Sequence, residues 1–226
     1  SWLSRFGPFR AAERKWQAVV PSVKNWWQQP GEAPEFTWVH FYDPHFPYEA
    51  DESFNGMYLD EPARYTQSVF EIAAINETGT VPENEMIQEF KSMYLAEVSG
   101  VDHAVGQLLD ELYRQNKLHN TLVVVTSDHG ESLDEHNYFF SHGENLFDPS
   151  LKVPLIVWQG NDVPARNLAG GQLPLKNIYE FILSKATVQS DTKWDSHPWL
   201  QRLWSGLEKH LPHTNSFCET GAGVYT

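Results

Sequence analysis

A segment with helical periodicity runs almost directly into a continuous aliphatic run, and this order limits the folds open to the chain. From about 85 to 115, apolar residues recur at spacings of three and four, which predicts one face of a helix: Val98, Val101, Val105, Leu108, Leu109 and Leu112. After a turn at 116–120, residues 122–125 form the β-branched run typical of a strand buried on both faces, and 153–158 predict a second one. This succession predicts an α/β fold, a sheet covered by helices on both faces.

The remaining segments are less regular. Residues 11–29 predict a Trp-rich helix broken at Pro21, and residues 36–41 predict a short strand that ends before Pro44. Residues 46–88 indicate loops and short helices, and residues 185–226 form a polar tail to which no structure is assigned. The pattern therefore concentrates the interpretable elements in a core at 36–158.

Polar residues suited to metal binding follow the first aliphatic strand at once. Asp128 and His129 come directly after 122–127, at the end of a strand where open α/β sheets form their sites. A carboxylate beside an imidazole suits a divalent cation, and Gly130 lets the backbone turn sharply. The alternative is structural: Asp128 caps the N-terminus of a following helix.

Further histidines lie on neighbouring predicted loops. His136 and His142 follow the Asp-His pair, and their clustering favours an anion or metal pocket over isolated solvated side chains. His45 lies between Pro44 and Pro47, whose rings stiffen the loop and suit a histidine that works as an acid, a base or an anion contact. The alternative for His45 is a loop histidine packed among aromatic side chains.

The charge balance excludes one class of partner. With 16 Lys and Arg against 30 Asp and Glu, the net charge of −14 argues against nucleic acid. An acidic protein that handles anions needs a local positive centre, for which a metal ion is the natural candidate.

No run of about 18 apolar residues suggests a membrane span. The single cysteine allows no internal disulfide and leaves the compartment open, and Asn76-Glu77-Thr78 matches a short glycosylation pattern that often arises by chance.

Four segments, taken in order, resemble the sulfatase family of the alkaline phosphatase superfamily. They are His40-x-x-Asp43-Pro44-His45-x-Pro47-Tyr48, the helix 94–109 with Glu97 and Asp102, Ser127-Asp128-His129-Gly130-Glu131, and His142-Gly143-x-x-Leu146-x-Asp148-Pro149-Ser150 continuing to 156. The resemblance covers about 36–158 and implies the C-terminal portion of a sulfatase catalytic domain. Its fold is an alkaline-phosphatase-like sheet between helices, present only in part.

The resemblance also implies roles for particular residues. Asp128 and His129 are expected to be metal ligands, with calcium expected from its frequency in the family and manganese or zinc as alternatives because imidazole suits them. His45 and His142 are the expected catalytic residues, which contact the sulfate group or protonate the departing alcohol, and His136 orients the pocket. The implied substrate is a sulfate ester of a small molecule or glycan.

The nucleophile that the resemblance requires is missing from these residues. Sulfatases use a formylglycine made from Cys or Ser in a C/S-x-P-x-R motif, but Cys218 precedes Glu-Thr-Gly, and Ser1 to Arg5 has Leu3 where Pro belongs. We therefore expect the nucleophile-bearing N-terminal half to lie outside this chain. The 226 residues alone should bind a metal ion weakly and show no catalytic turnover.

Two other functions stay open at this level. Asp-His pairs such as 128–129 also occur in phosphonate monoester hydrolases and related phosphotransfer enzymes, so a phospho- or phosphonate-ester hydrolase or transferase is the first alternative. A non-catalytic module that keeps the fold for binding is the second. The oligomeric state and the substrate alcohol are not predicted by any feature of the sequence.

Overall fold

The structure, a computed structural model, describes residues 14–29, 31, 34–159 and 173–186, together with the backbone of 218–220 and 223–225. Its helices are α1 (Trp16–Trp27), α2 (Glu52–Asn55), α3 (Val69–Thr78), α4 (Asn84–Arg114), α5 (Asp148–Leu151) and α6 (Asn177–Lys185). Its strands are β1 (Leu122–Thr126), β2 (Leu155–Gln159), β3 (Cys218–Thr220) and β4 (Gly223–Tyr225), and 3-10 turns occur at Leu118–Asn120 and Glu135–Asn137.

The 31-residue helix α4 is the central element, and its predicted existence and extent are confirmed. Its buried face is nevertheless rotated from the predicted stripe, since Val98 is 38% exposed. The residues that face inward include small and charged side chains, which an apolar pattern passes over: Met86, Ile87, Glu89, Phe90, Met93, Ala96, Glu97, Gly100, Ala104, Leu108, Glu111 and Leu112. The periodicity located the helix correctly and identified its buried face in part, since Leu108 and Leu112 are buried whereas Val98 is not.

Two hydrophobic clusters lie along α4. Near its N-terminal half, aromatic side chains from the loops at 46–48 and 139–140 pack with α3 and α4 in a cluster that contains Phe46, Tyr48, Ile72, Phe90, Phe139 and Phe140. Near its C-terminal half, α1 packs against it through Val20, Trp27, Ala104, Leu108 and Leu112. The helix therefore supports both the loop that carries His45 and the loop that approaches His142.

The aliphatic strand is less buried than predicted. β1 pairs with β2 in an antiparallel ladder, with Leu122 opposite Gln159 and Thr126 opposite Leu155. Phe181 of α6 packs against Leu122, Val124 and Val157, but all of β1 remains at least partly exposed. The expectation of a strand buried on both faces is wrong for the described residues. Helices packed on a small sheet still agree with a partial α/β fold.

Two local expectations are also corrected. Helix α1 is not broken at Pro21 but continues through it to Trp27, and the Ser22 hydroxyl donates to the carbonyl of Ala18 at 2.9 Å. Residues 36–41 form no strand, because they pair with no other segment among the described residues. Trp38 is 79% exposed there, while Val39 and Phe41 pack on the α1–α4 cluster.

The tail predicted at 185–226 falls mostly outside the described residues, apart from the antiparallel pair β3–β4. Among the helices in the described part of the chain, none combines the length and apolar character needed to cross a membrane.

Candidate active site

Asp128 and His129 lie just beyond the last residue of β1, as the sequence predicted. The Asp128 side chain is 73% exposed, and its Oδ1 accepts the backbone N–H of His129 at 3.0 Å. No helix begins here in the described residues 127–134, so the helix-cap alternative is wrong. The carboxylate is thus left with an oxygen facing solvent at the end of the strand.

The imidazole of His129 is oriented by its own backbone neighbourhood. Its Nδ1 lies 2.8 Å from the carbonyl oxygen of Gly130, and since a carbonyl can only accept, Nδ1 carries the proton. This tautomer leaves Nε2, which lies 3.7 Å from Asp128 Oδ1, with its lone pair available. A backbone carbonyl that holds the far nitrogen is a common way to orient a metal-binding histidine.

Gly130 fixes this turn for a reason other than the one expected. A Cβ at this position would lie 1.9 Å from the carbonyl oxygen of Pro149, and the Gly130 N–H donates to Ser150 O at 2.9 Å. Its backbone is not in the left-handed region that would require glycine. Glycine is therefore needed for the close approach of two chain segments, which ties the Asp128-His129 turn to α5.

His142 stacks on His129, with ring centroids 3.8 Å apart and an interplanar angle of 22°. Its Nδ1 lies 3.2 Å from Oε1 of Glu131, a carboxylate that is only 5% exposed. The hydrogen bond to Glu131 raises the pKa of His142 above its usual range, against the opposing effect of burial, and the charge of Asp128 adds to the rise. His142 therefore stays cationic to higher pH than an ordinary histidine.

His45 joins the same cluster from the other side. Its ring centroid lies 5.3 Å from that of His142 in an edge-to-face arrangement. Its Nδ1 donates to the carbonyl of Phe46 at 2.7 Å, and its Nε2 lies 3.4 Å from the hydroxyl of Tyr42. The Asp43-Pro44 and Phe46-Pro47 peptide bonds on both sides of it are cis.

Three imidazoles from separated parts of the chain thus meet in one cluster. In each, an acceptor holds Nδ1: the carbonyl of Phe46 for His45, the carbonyl of Gly130 for His129 and the carboxylate of Glu131 for His142. Each ring therefore has Nε2 on the side away from that acceptor, where it could meet a proton, an anion or a metal ion, and in His45 the Tyr42 hydroxyl lies 3.4 Å from it. Together they can bind an anion and exchange a proton with it.

His136 was expected to orient this pocket, but its ring stacks on Phe147 at 4.1 Å instead. It lies in the 3-10 turn with a positive φ of 61°. The residues that hold the cluster are Glu131, which the sequence motif contained without a role, and Tyr42. Within the described ranges, no group of three or more His, Cys, Asp or Glu side chains could hold a metal ion.

A network of charged side chains lies behind His45, and it was not predicted from the sequence. Oε2 of Glu97 accepts the backbone N–H of His45 at 3.2 Å, and Oε1 accepts that of Glu49 at 2.6 Å. Lys15 Nζ lies 3.3 Å from Glu97 Oε1 and 3.0 Å from Asp43 Oδ1. A signal existed: Glu97 lies between Met93 and Gly100 on the buried face of α4, where a charge requires partners.

Burial raises the pKa of Glu97 to about 7, although the Glu49 N–H and Lys15 both lower it. Burial lowers the pKa of Lys15, but Glu97 and Asp43 outweigh that effect and leave it above its usual value. The Asp43 Oδ2 atom is buried and has no hydrogen-bond partner among the described residues. The network is therefore a cluster of buried and half-buried charges beneath the His45 loop.

Known proteins carry the same elements. A choline-sulfatase of Rhizobium meliloti (strain 1021) is 31% identical over 133 residues, which is 53% of this chain and 25% of that protein. A protein solved in work on the metabolism of multiple glycosaminoglycans by Bacteroides thetaiotaomicron superposes with a TM-score of 0.56 at 25% identity, over 75% of this chain and 34% of that one. The phosphonate monoester hydrolase of Agrobacterium radiobacter superposes with a TM-score of 0.51 at 23% identity, over 64% and 32%.

The chain matches 25% of the length of the choline-sulfatase and 34% of the Bacteroides protein. The likeness to these structures confirms the alkaline-phosphatase-like α/β fold. A sequence model of the Sulfatase family matches residues 7–182, a span that includes His45, Asp128, His129 and His142. By this match the chain belongs to the Sulfatase family.

Proposed function

We propose that these residues form one side of the active site of a sulfuric ester hydrolase. The observation that carries the proposal is the convergence of His45, His129 and His142, in each of which an acceptor holds Nδ1 and leaves Nε2 on the opposite side of the ring. Such a cluster suits an anionic sulfate ester, whose oxygens need hydrogen-bond donors and whose departing alcohol oxygen needs a proton. The family relationship supplies the class of ester.

His45 and His142 divide the work by their surroundings. Glu131 keeps His142 protonated over a wider pH range, so His142 is the better permanent donor to a sulfate oxygen. His45 donates from Nδ1 to a carbonyl, which leaves Nε2 to carry and release the proton that the departing alcohol takes. We infer that His45 is the general acid and His142 the anion contact.

Asp128 and His129 are the residues that would hold a divalent metal ion. The donor set fits: a solvent-facing carboxylate lies next to an imidazole whose Nδ1 is held by a backbone carbonyl. Two ligands do not complete a coordination shell, so further ligands must come from outside the described residues. When bound, such an ion would neutralise charge on the ester oxygens. We retain calcium as the proposed metal, with manganese or zinc as the alternatives.

The nucleophile is proposed to come from sequence outside these 226 residues, since no C/S-x-P-x-R motif occurs among them. The substrate is proposed to be a sulfate ester of a small molecule or a glycan, by analogy with the choline-sulfatase and the Bacteroides protein. A phosphonate or phosphate ester is the second candidate, favoured by the superposition with the phosphonate monoester hydrolase and by the Asp128-His129 pair.

Activity measurements test the proposal. The 226 residues alone should not hydrolyse 4-nitrophenyl sulfate, whereas a protein that joins them to the nucleophile-bearing part should. In that protein, His45→Gln or His142→Gln should each lower kcat about 10²–10⁴-fold, the usual contribution of acid-base catalysis. Turnover by the 226 residues alone would contradict the external nucleophile. A higher kcat/KM for an aryl phosphonate monoester than for the sulfate would establish the second candidate instead.

Metal binding has a test that needs no turnover. Mn²⁺ added to the 226-residue chain should broaden the ring resonances of His129 before those of His119, which lies ahead of β1 at the opposite end of the strand. Asp128→Asn should abolish this selective broadening, and Asp148→Asn, at an exposed carboxylate on α5, should not. Equal broadening at both histidines would contradict a site at Asp128 and His129.

A further inference from the structure

Besides the packing of Phe46 and Tyr48 against α4, the loop that carries His45 is bound to this helix through a buried carboxylate, that of Glu97. Glu97 receives the backbone N–H groups of His45 and Glu49, so its two oxygens hold the loop at residues four apart. The Glu97 side chain is 1% exposed, which removes competition from water for these bonds. A buried carboxylate forms stronger bonds to N–H groups than a neutral acceptor does. The loop position therefore depends on this side chain.

Lys15 and Asp43 complete the attachment. Lys15 Nζ bridges Glu97 Oε1 and Asp43 Oδ1, so residue 43 of the same loop is held to the same carboxylate through one cation. The loop is thus fixed at 43, 45 and 49, on both sides of the His45 ring. The ring itself makes contacts only with Tyr42, the Phe46 carbonyl and His142 among those recorded for the described residues.

We propose that Glu97 is the positioning residue of His45, holding its backbone so that the ring meets His142. The proposed function gives His45 its chemical role, and the inference rests on it to that extent. Glu97 touches no reacting group and acts through the loop. Its effect should therefore appear as a change in where the His45 ring lies.

A second glutamate on the same helix supplies a matched control. Glu89 is also buried on α4, and its carboxylate accepts the backbone N–H groups of Arg64 at 2.9 Å and Tyr65 at 2.9 Å. It therefore holds a different loop by the same kind of bond. Glu89→Gln and Glu97→Gln each replace one acceptor oxygen by an NH₂ group, which cannot accept the N–H it faces.

The test uses nuclear magnetic resonance on the whole 226-residue chain. In Glu97→Gln, amide exchange at His45 or Glu49 should accelerate at least about tenfold, the scale of one lost charge-assisted bond. The contact between the His45 and His142 rings should weaken in the same variant. In Glu89→Gln any faster exchange should appear at Arg64 or Tyr65, whose N–H groups that carboxylate accepts, with the His45 ring unchanged.

Two results would overturn the proposal: a His45 ring that does not move in Glu97→Gln, or one that moves equally in Glu89→Gln. If Glu97→Gln does not fold, the same attachment can be tested in the wild-type chain by a pH titration. The amide resonances of His45 and Glu49 should then shift with the midpoint of the Glu97 carboxyl, which faces Lys15, Asp43, Glu49 and Asp51. Flat amide shifts through that titration would also overturn it. The amide signals report the bonds to Glu97, and the contact between the His45 and His142 rings reports the ring position. Neither needs turnover, so a failed attachment and a failed sulfatase proposal give separate results.

Discussion

The loop that carries His45 and the segments that carry His129 and His142 meet in one cluster but are anchored by different forces. Charged side chains hold the His45 loop, through Glu97 and Lys15. Backbone contact holds the other segments, through the approach of Gly130 to Pro149 and an antiparallel bridge between Ser132 and Ser141. One side of the site should therefore respond to pH, and the other to the volume of a side chain.

The largest expected effect is steric. Gly130→Ala places a methyl group 1.9 Å from the Pro149 carbonyl oxygen, so the two segments must separate. Overpacking of this kind costs about 1–3 kcal/mol or more in the free energy of unfolding, which urea denaturation would measure. Gly106→Ala on α4 is the control, since nothing lies within 4 Å of its added Cβ. It should be neutral or stabilise by about 0.5–1 kcal/mol. Equal destabilisation by both would remove the steric account.

The next effect concerns pH and the His45 side. The folded-state pKa of Glu97 is raised from 4.5 to about 7, so folding favours the protonated carboxyl. Its stabilising contribution is complete below 4.5 and is lost as pH rises through 7. Wild type should therefore lose stability relative to Glu97→Gln across that range, as measured by urea unfolding at several pH values. A constant difference between the two proteins would show that Glu97 does not titrate there.

A smaller effect is expected at His142. In the metal-free, chelator-treated chain, Glu131→Gln removes the hydrogen-bonded carboxylate that raises the pKa of His142, so this pKa should fall. Ring resonances followed against pH give the value directly. Glu144→Gln serves as the control, because Glu144 accepts from the Tyr138 hydroxyl and makes no recorded bond to His142. A fall of the same size in the control would point to a general charge effect.

The smallest effect is expected at His136. His136→Ala removes a ring stacked on Phe147, a contact worth about 0.5–1.5 kcal/mol in the free energy of unfolding. The titration of His142 should not change, since His136 lies outside its cluster. If that titration shifts, the expectation from the sequence that His136 orients the pocket would be restored.

The parts of the fold that the sequence predicted are those set by local pattern. Helix α4 and strand β1 follow from periodicity, and the position of Asp128 after the strand follows from chain order alone. The meeting of His45 with His142 came from the resemblance to a family, because the two rings are separated by almost a hundred residues of chain. The structure brings three of the named histidines together, while the groups that hold them were not anticipated, and the catalytic and metal-binding roles of the named residues stay predictions.

The rest depends on contacts between distant parts of the chain. Lys15 and Glu97 are 82 residues apart, so no local pattern pairs them. Gly130 was interpreted as a turn residue because glycine usually signals one, yet its role is to let the Pro149 carbonyl approach. The expectation that β1 is buried on both faces failed for a related reason. An aliphatic run shows that a strand could be buried, but whether other segments cover it depends on distant parts of the chain.

Because Glu89 and Glu97 lie on the same helix, α4, the directions in which their side chains point are fixed relative to each other. Glu89 and Glu97 both act on loops from one continuous 31-residue helix, and each residue added between them turns everything beyond it by about 100°. A single-residue insertion at 90–96 would thus leave the 64–65 loop in place and swing the carboxylate of Glu97 away from His45. The exposed loop at 60–63 lies outside any helix and should accept an added residue with little effect on either attachment. A protein that retains both attachments should therefore keep the number of helical residues between Glu89 and Glu97.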